Sequence, residues 1–304
     1  MSATRDFFGD HLVNLAAENS KIVVVNCDLG EATRTLEFKN LYPDRYIEAG
    51  IAEANAISIS SGLAKEGLIP FVTSFGHFLT GKFLEIFQSI GLNNANVTLV
   101  GTHAGLAIGK DGPTQMGLRD VALMRTLPNL KIYHPINSKQ VGESLREIIK
   151  AKGPKYLRLN RQPQEYFELD SSFNFGCGDE IINGKEILVI TQGAPTIEAY
   201  NAINNLDSEG NIGLLSVSTM PIDKKQYIRI ISRYKTVLII EDHFSIGGVA
   251  DLIARLIAEE NLNIRFYSIG IEDYGQSGDP KDLYLRYGLD QTSINKKLKE
   301  LLNG

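Results

Sequence analysis

Short runs of Val, Ile and Leu that are apolar at consecutive positions, not at alternate ones, recur along the whole chain and alternate with stretches of helical period. The runs are IVVVN from Ile22, PFVTS from Pro70, VTLVG from Val97, KIYHP from Lys131 and KYLRL from Lys155. A second set follows, with EILVIT from Glu186, IGLLSV from Ile212, TVLII from Thr236 and IRFYSIG from Ile264. A strand that is apolar on both faces has to be covered by helices on both sides, and that places it in the middle of a parallel sheet. Covering helices are read in AEANAISISSGLAKE from Ala52, KQVGESLREIIKAK from Lys139, APTIEAYNAINNL from Ala194 and GGVADLIARLIAEE from Gly247. The alternation, made twice, predicts an α/β chain of two doubly wound domains. Residues 160–184 mix polar, aromatic and glycine residues without helical period and read as a connection across a surface. The expected division is one domain over 1–165, a linker over 166–184 and a second domain over 185–304.

Composition removes several classes of function. With 304 residues, 43% hydrophobic and 22% charged, the chain can bury a large core and is neither disordered nor a disulfide scaffold. The 31 basic against 36 acidic side chains leave a formal charge of −5, unlike a nucleic-acid binder with clustered Lys and Arg. Cys27 and Cys177 stand on separate segments and read as buried, reduced thiols of a cytoplasmic protein. No leader-like apolar segment follows Met1, and no run approaches the ~20 apolar residues of a membrane span.

In open parallel sheets ligands sit beyond the carboxyl ends of the strands. The loops there are NCDLGEATR from Asn26, TSFGHF from Thr73, GTHAGLAIGKDGPTQ from Gly101 and NRQ from Asn160, with EDHFSIGG from Glu241 the best of the second half. Glu53 opens a helix, so it is either a first-turn carboxylate favouring the helix dipole or a carboxyl in a dry slot among Gly50, Ile51, Ala52, Ala54 and Ala56. The second environment suits a group that shares a proton with a nitrogen heterocycle. Phe75 and Phe78 are core residues or an apolar wall for a planar ring, and His77 between them reads as a satisfied histidine. His103, Asp111 and Gln115 share a long polar loop of the kind that carries function. Arg34 and Arg161 are solvated individually, but converging with a histidine they suit a phosphate or carboxylate. Asp111-Gly112 with Asn137 imitates a GDG…N diphosphate motif, but Lys110 replaces the first glycine and Asn137 fits a helix N-cap, so no metal site is expected.

The segments YIEAGIAEANAISISSGLA, TSFGHFLTGKFLE, THAGLAIGKDGPTQMGLRDVALMRTLPNLKIYHP and LRLNRQ, together with EDHFSIGG, resemble in this order the C-terminal part of transketolase. The resemblance covers essentially the whole chain and implies a thiamine-diphosphate pyrimidine-binding domain followed by a transketolase C-terminal domain. It implies transfer of a two-carbon ketol unit from a ketose, such as a sugar phosphate, to an aldose. Glu53 matches the glutamate that bonds N1′ of the aminopyrimidine, a contact that turns the 4′-amine into the base for the thiazolium C2 proton. Ile51, Phe75 and Phe78 match positions around that ring, with Gly81 where a third aromatic often stands. Arg34, His103 and Arg161 match sugar-phosphate positions, and Asp111 one that reads a sugar hydroxyl. Gln115 stands where the family motif GPTH has a catalytic histidine, and Gln carries no proton at neutral pH. The family's phosphate-binding serine has no clear counterpart. Without a diphosphate-binding domain in the match, the resemblance implies a split enzyme: a separate N-terminal subunit holds Mg²⁺ and the diphosphate in an α2β2 assembly. The rivals are the beta subunit of a 2-oxo-acid dehydrogenase decarboxylase, a 1-deoxyxylulose-5-phosphate synthase-like half, and a catalytically silent scaffold subunit.

Overall fold

The computed structural model describes residues 2–163, 173–206 and 209–303, so residues 166–172 of the expected linker lie outside the described residues. The apolar runs form the strands β1 (Ile22–Asn26), β2 (Tyr46–Glu48), β3 (Ile69–Phe75), β4 (Thr98–Thr102), β5 (Lys131–Tyr133) and β6 (Lys155–Arg158) of one sheet. These six are parallel, in the order β5-β6-β4-β3-β1-β2. Every residue of β1, β3, β4 and β6 is buried, as strands covered on both faces must be. The second sheet comprises β7 (Asp179–Ile182), β8 (Ile187–Gln192), β9 (Ile212–Ser216), β11 (Thr236–Phe244) and β12 (Arg265–Ile271), ordered β12-β11-β8-β9-β7 with β7 alone antiparallel. Between β9 and β11, the two residues of β10 (Thr219–Met220) leave this sheet and pair antiparallel with β5 of the first.

Three strands carry no periodic signal. β2 and β10 are too short for one, and β7, inside the stretch expected as a linker, is an edge strand whose side chains are mostly half-exposed. Cys27 is buried, but Cys177 is half-exposed, because it precedes that edge strand and does not face the core. Asn137 caps the helix Ser138–Lys150, its Oδ1 accepting the Gln140 N–H at 2.9 Å. No helix among the described residues is long and apolar enough to cross a membrane.

The two sheets are joined by a buried polar junction. Arg158, 1% exposed at the end of β6, donates from Nε to Asp120 Oδ2 at 2.7 Å and from Nη2 to the carbonyls of Gly117 (2.9 Å) and Asp242 (3.0 Å). Tyr156 donates its hydroxyl to the same Asp120 oxygen at 2.7 Å. Burial pushes the Asp120 carboxyl up, and the Arg158 charge more than offsets this, leaving it below the usual carboxylate range. From the other side Asp242 accepts the Leu106 N–H (2.8 Å) and the Tyr284 hydroxyl (2.8 Å). Neutral His243, driven down to about 4 chiefly by burial, accepts the Ala122 N–H at 3.2 Å. Glu241 receives the first free N–H groups of the helix Val249–Glu259, from Val249 and Ala250. Within the EDHFSIGG segment, Asp242 and His243 therefore dock the two domains and Glu241 caps a helix of the second.

The junction also accounts for the long loop after β4. Leu106, Ala107, Ile108, Met116 and Leu118 are buried in one cluster with Val189, Leu238, Ile240 and Tyr284 of the second domain. A Cβ on Gly105, whose φ is +76°, would come within 2.0 Å of Asp242 Oδ2, so the close approach requires glycine there. Removing one partner of a buried ion pair strands the other charge, so Arg158→Met is expected to cost about 3–5 kcal/mol in urea unfolding. The double variant Arg158→Met/Asp120→Leu is expected to recover part of that loss.

Candidate active site

The loops expected at the carboxyl ends of the strands meet in one pocket of about 490 Å³. Its lining includes Arg34, Phe75, His103, Asp111 and Arg161, which the sequence singled out, and also Arg5, Asp28 and Glu31, which it did not. Three of these residues, Asp28 (φ 56°), Arg34 (φ 63°) and His103 (φ 58°), hold left-handed backbone that disfavours a side chain by about 1–2 kcal/mol each. Local hydrogen bonds hold them there. Glu48 accepts the Asp28 N–H at 2.8 Å, and Thr35 N–H reaches back to Gly30 O at 2.8 Å around Arg34.

The charged side chains are already engaged in part. Arg34 Nε donates to Asp6 Oδ1 at 2.7 Å, and Arg161 Nη1 donates to Ile108 O (3.0 Å) and Asp111 Oδ2 (3.1 Å). Arg5 Nη1 donates to Ala32 O at 3.0 Å and reaches His103 Nε2 at 2.7 Å. Arg5 and Asp6 lie on the N-terminal helix Thr4–Glu18, far from any strand-end loop, so the loop rule passes over them. His103 is 3% exposed and is pushed down to about 3, first by burial and then by the charges of Arg5, Arg161 and Arg34. The Phe75 ring lies 3.9 Å from the His103 ring, centroid to centroid.

Glu53 begins the helix Glu53–Lys65 and is 7% exposed. Of the chain neighbours expected to dry it, Ala56 is buried, whereas Ile51 is 84% exposed and Gly50, Ala52 and Ala54 are half-exposed. The strands add to the enclosure: Ser74 Oγ donates to Glu53 Oε1 at 2.9 Å, and the buried Cys27 thiol is raised to about 12 by burial and by the Glu53 and Glu48 charges. Among the described residues Glu53 Oε2 has no hydrogen-bond partner. Phe78 stacks on Phe75 at 5.4 Å and 15° without lining the pocket. Gln115 is half-exposed and also stands outside the lining, and His77 is satisfied by Met116 O at 3.0 Å. No cluster of His, Cys, Asp or Glu among the described residues could hold a metal ion.

The pocket and Glu53 are connected. His103 Nδ1 lies 2.9 Å from Thr102 Oγ1, and Thr102 Oγ1 donates to Ser74 O at 3.3 Å. Ser74 then supplies the Glu53 contact. The arrangement offers a carboxylate oxygen tied through Ser74 to a pocket that is lined by Phe75 and by the guanidinium groups of Arg5, Arg34 and Arg161, which suit an anion.

The chain matches two protein families, transketolase pyrimidine-binding domain over residues 1–165 and transketolase C-terminal domain over residues 178–294. It is 34% identical to a putative transketolase C-terminal section of Methanocaldococcus jannaschii, over 97% of this chain and 95% of that one. It is 30% identical to a 6-deoxy-6-sulfo-D-fructose transketolase subunit of Clostridium sp. strain MSTE9, over 98% and 94%. It is also 30% identical to the 1-deoxy-D-xylulose-5-phosphate synthase of Aquifex aeolicus, but spans only 48% of that protein. Among solved structures it superposes on a split gene transketolase, described as an inactive beta4 tetramer, with a TM-score of 0.90 and 32% identity over 100% of this chain and 99% of that one.

The buried histidine gives a direct check. With a folded value of about 3 against an unfolded value near 6.5, His103 stays neutral from pH 8 down to pH 5, and a nuclear magnetic resonance titration of its ring is expected to show no protonation step there. Because the folded value is the lower one, this group's contribution is full above about pH 6.5 and is lost as pH falls towards 3.

Proposed function

This chain belongs to the transketolase family, and from that premise we propose that it is the C-terminal subunit of a thiamine-diphosphate-dependent transketolase whose diphosphate-binding subunit is a separate chain. The observation that carries the reading is Glu53, buried with one oxygen free and held by Ser74, the residue before Phe75, which stacks on Phe78 and lines a pocket rich in arginine. These residues fit the aminopyrimidine half of thiamine diphosphate. Two relatives matched nearly end to end, a transketolase subunit and a split gene transketolase, support the division into subunits. Mg²⁺ and the diphosphate fall to the partner in an α2β2 assembly. The division of the chain is taken as 1–165, a connection over 166–184 that adds β7 to the edge of the second sheet, and 185–304, and its setting as the cytoplasm.

When bound, thiamine diphosphate supplies the nucleophilic carbon and the electron sink for moving a two-carbon ketol unit. Glu53 accepts a hydrogen bond from the ring nitrogen N1′, and Ser74 holds the carboxylate in the orientation to do so. Phe75 and Phe78 present the apolar wall on which the ring lies, and Ile51 stands exposed at its edge. Arg34 and Arg161 draw in the charged end of a ketose or aldose phosphate, with His103 in the wall between them. Asp111, steadied by Arg161, accepts from a sugar hydroxyl. Gln115 can bond to the substrate but cannot move a proton at the place where the family motif has histidine.

The likeness to a 1-deoxy-D-xylulose-5-phosphate synthase favours a second reading, in which a 2-oxo acid replaces the ketose as donor. One experiment separates them. The chain is co-expressed with its diphosphate-binding partner and offered a ketose phosphate or a 2-oxo acid with an aldose phosphate acceptor. Two-carbon transfer from the ketose phosphate is expected, and product from the 2-oxo acid alone would reverse the assignment. In the same complex Glu53→Gln is expected to lower kcat at least about 100-fold. Unchanged turnover would leave this chain a silent scaffold. Calorimetry of the chain alone with thiamine diphosphate and Mg²⁺ is expected to show no tight binding, and tight binding without a partner would count against the split.

A further inference from the structure

We infer that Glu48 is a positioning residue, whose one carboxylate ties the turn leading to Glu53 to the turn that carries Asp28 into the pocket. The inference deepens the proposed function and rests on it, with Glu53 as the ring contact and the pocket as the place of the sugar. It begins where a ladder of strand pairing ends. β2 is three residues long at the edge of its sheet, beside β1, and the last pair of that ladder is Asn26 with Glu48. Past this pair the Ala49 N–H still reaches Asn26 O at 2.9 Å. The Glu48 side chain then takes over the work of the ladder. Its Oε1 accepts the Asp28 N–H at 2.8 Å and the Gly50 N–H at 3.1 Å, and its Oε2 accepts from Asn26 Nδ2 at 2.7 Å.

Both turns need such a hold. Asp28 (φ 56°) and Gly50 (φ 72°) have left-handed backbone, which a loose loop would give up at Asp28. Asp28 lines the pocket, and Gly50 stands three residues before Glu53. The Cys27 thiol, next to Asp28 in the chain, is raised first by burial and then by the Glu53 and Glu48 charges, so both carboxylates bear on one side chain. The three donors call for a carboxylate of this length. Asn26 Oδ1 accepts the Thr73 hydroxyl at 3.0 Å, which sets the Asn26 NH2 group towards Glu48. Glu48→Gln keeps the length but has a single acceptor oxygen. Its NH2 group faces either Asn26 Nδ2 or the two backbone N–H groups, donor against donor. Glu48→Asp keeps the charge and both oxygens but is one methylene short.

Amide hydrogen exchange of the full chain tests the tie directly. The Asp28 and Gly50 amides are expected to be protected in the wild type and to exchange about tenfold faster in both variants, with thermal transitions monitored to show that each folds. In the complex with the diphosphate-binding partner, both variants are expected to raise KM for a ketose phosphate about 3- to 10-fold. The thiamine diphosphate concentration at half-maximal rate is expected to rise by a similar factor. A merely structural loss of folded enzyme lowers kcat and moves neither quantity. Wild-type exchange in either variant overturns the inference, as do unprotected amides in the wild type. Faster exchange with KM or the cofactor requirement unchanged also overturns it, because the tie then does not couple the two turns in function. A defect in Glu48→Gln that Glu48→Asp does not share assigns the effect to charge and overturns it as well. A wild-type complex that moves no two-carbon unit from a ketose phosphate fails the transketolase reading instead, and exchange in the chain alone then decides whether Glu48 ties the turns.

Discussion

The contact on which the rest of the molecule depends is the buried Arg158 guanidinium at the end of β6. It compensates Asp120 in its own domain and caps the carbonyl of Asp242 in the other, so one charge is shared between two sheets. A pair so buried is costly to desolvate and is retained only where further hydrogen bonds satisfy its remaining atoms. Here Tyr156, Gly117 and Asp242 supply them. Around this point the second domain contributes carboxylates and histidine from the end of β11, and the first contributes backbone N–H groups at Leu106 and Ala122. The apolar half of the loop after β4 is clamped as a result, and its polar end is carried to the pocket.

The candidate site uses that rigidity. Left-handed backbone at Asp28, Arg34 and His103 is a strain that a loose loop would relax, and here it is held by turns at the ends of β1 and β4. The hydrogen bonds from Arg5 through His103 and Thr102 end on the backbone of Ser74, whose side chain grips Glu53. Glu53 and the arginine-lined pocket are in this way referenced to the same residue at the end of β3. That is the pre-organisation a reaction needs when two bound molecules have to meet at fixed distance.

Much of this was legible in the residues. The doubly apolar runs marked the parallel strands, and the strand-end rule picked out the loops that carry Arg34, Phe75, His103, Asp111 and Arg161, which line one pocket. The missing parts share a physical reason. β7, with mostly half-exposed side chains at a sheet edge, and the very short β2 and β10 have no period to read. Arg5 belongs to a helix whose relation to the pocket is set by tertiary packing, with 98 residues between it and His103. The EDHFSIGG segment looks like a ligand loop, but Asp242 and His243 bond across to the first domain and Glu241 caps a helix of its own domain. The dryness around Glu53 was inferred from neighbours in sequence, of which Ala56 is buried, and Ser74 on the neighbouring strand adds to it.

The loop after β4 belongs to two owners. Its apolar half is packed into the second domain, yet among the described residues none of that domain lines the pocket to which its polar end contributes. A graft exchanging the second domain between related chains would leave every pocket side chain unaltered in identity. The graft would nonetheless change the surface on which Leu106, Ile108 and Met116 rest, and with it the stance of Asp111. The shape of the pocket thus depends on a domain that supplies none of the side chains found in its lining among the described residues.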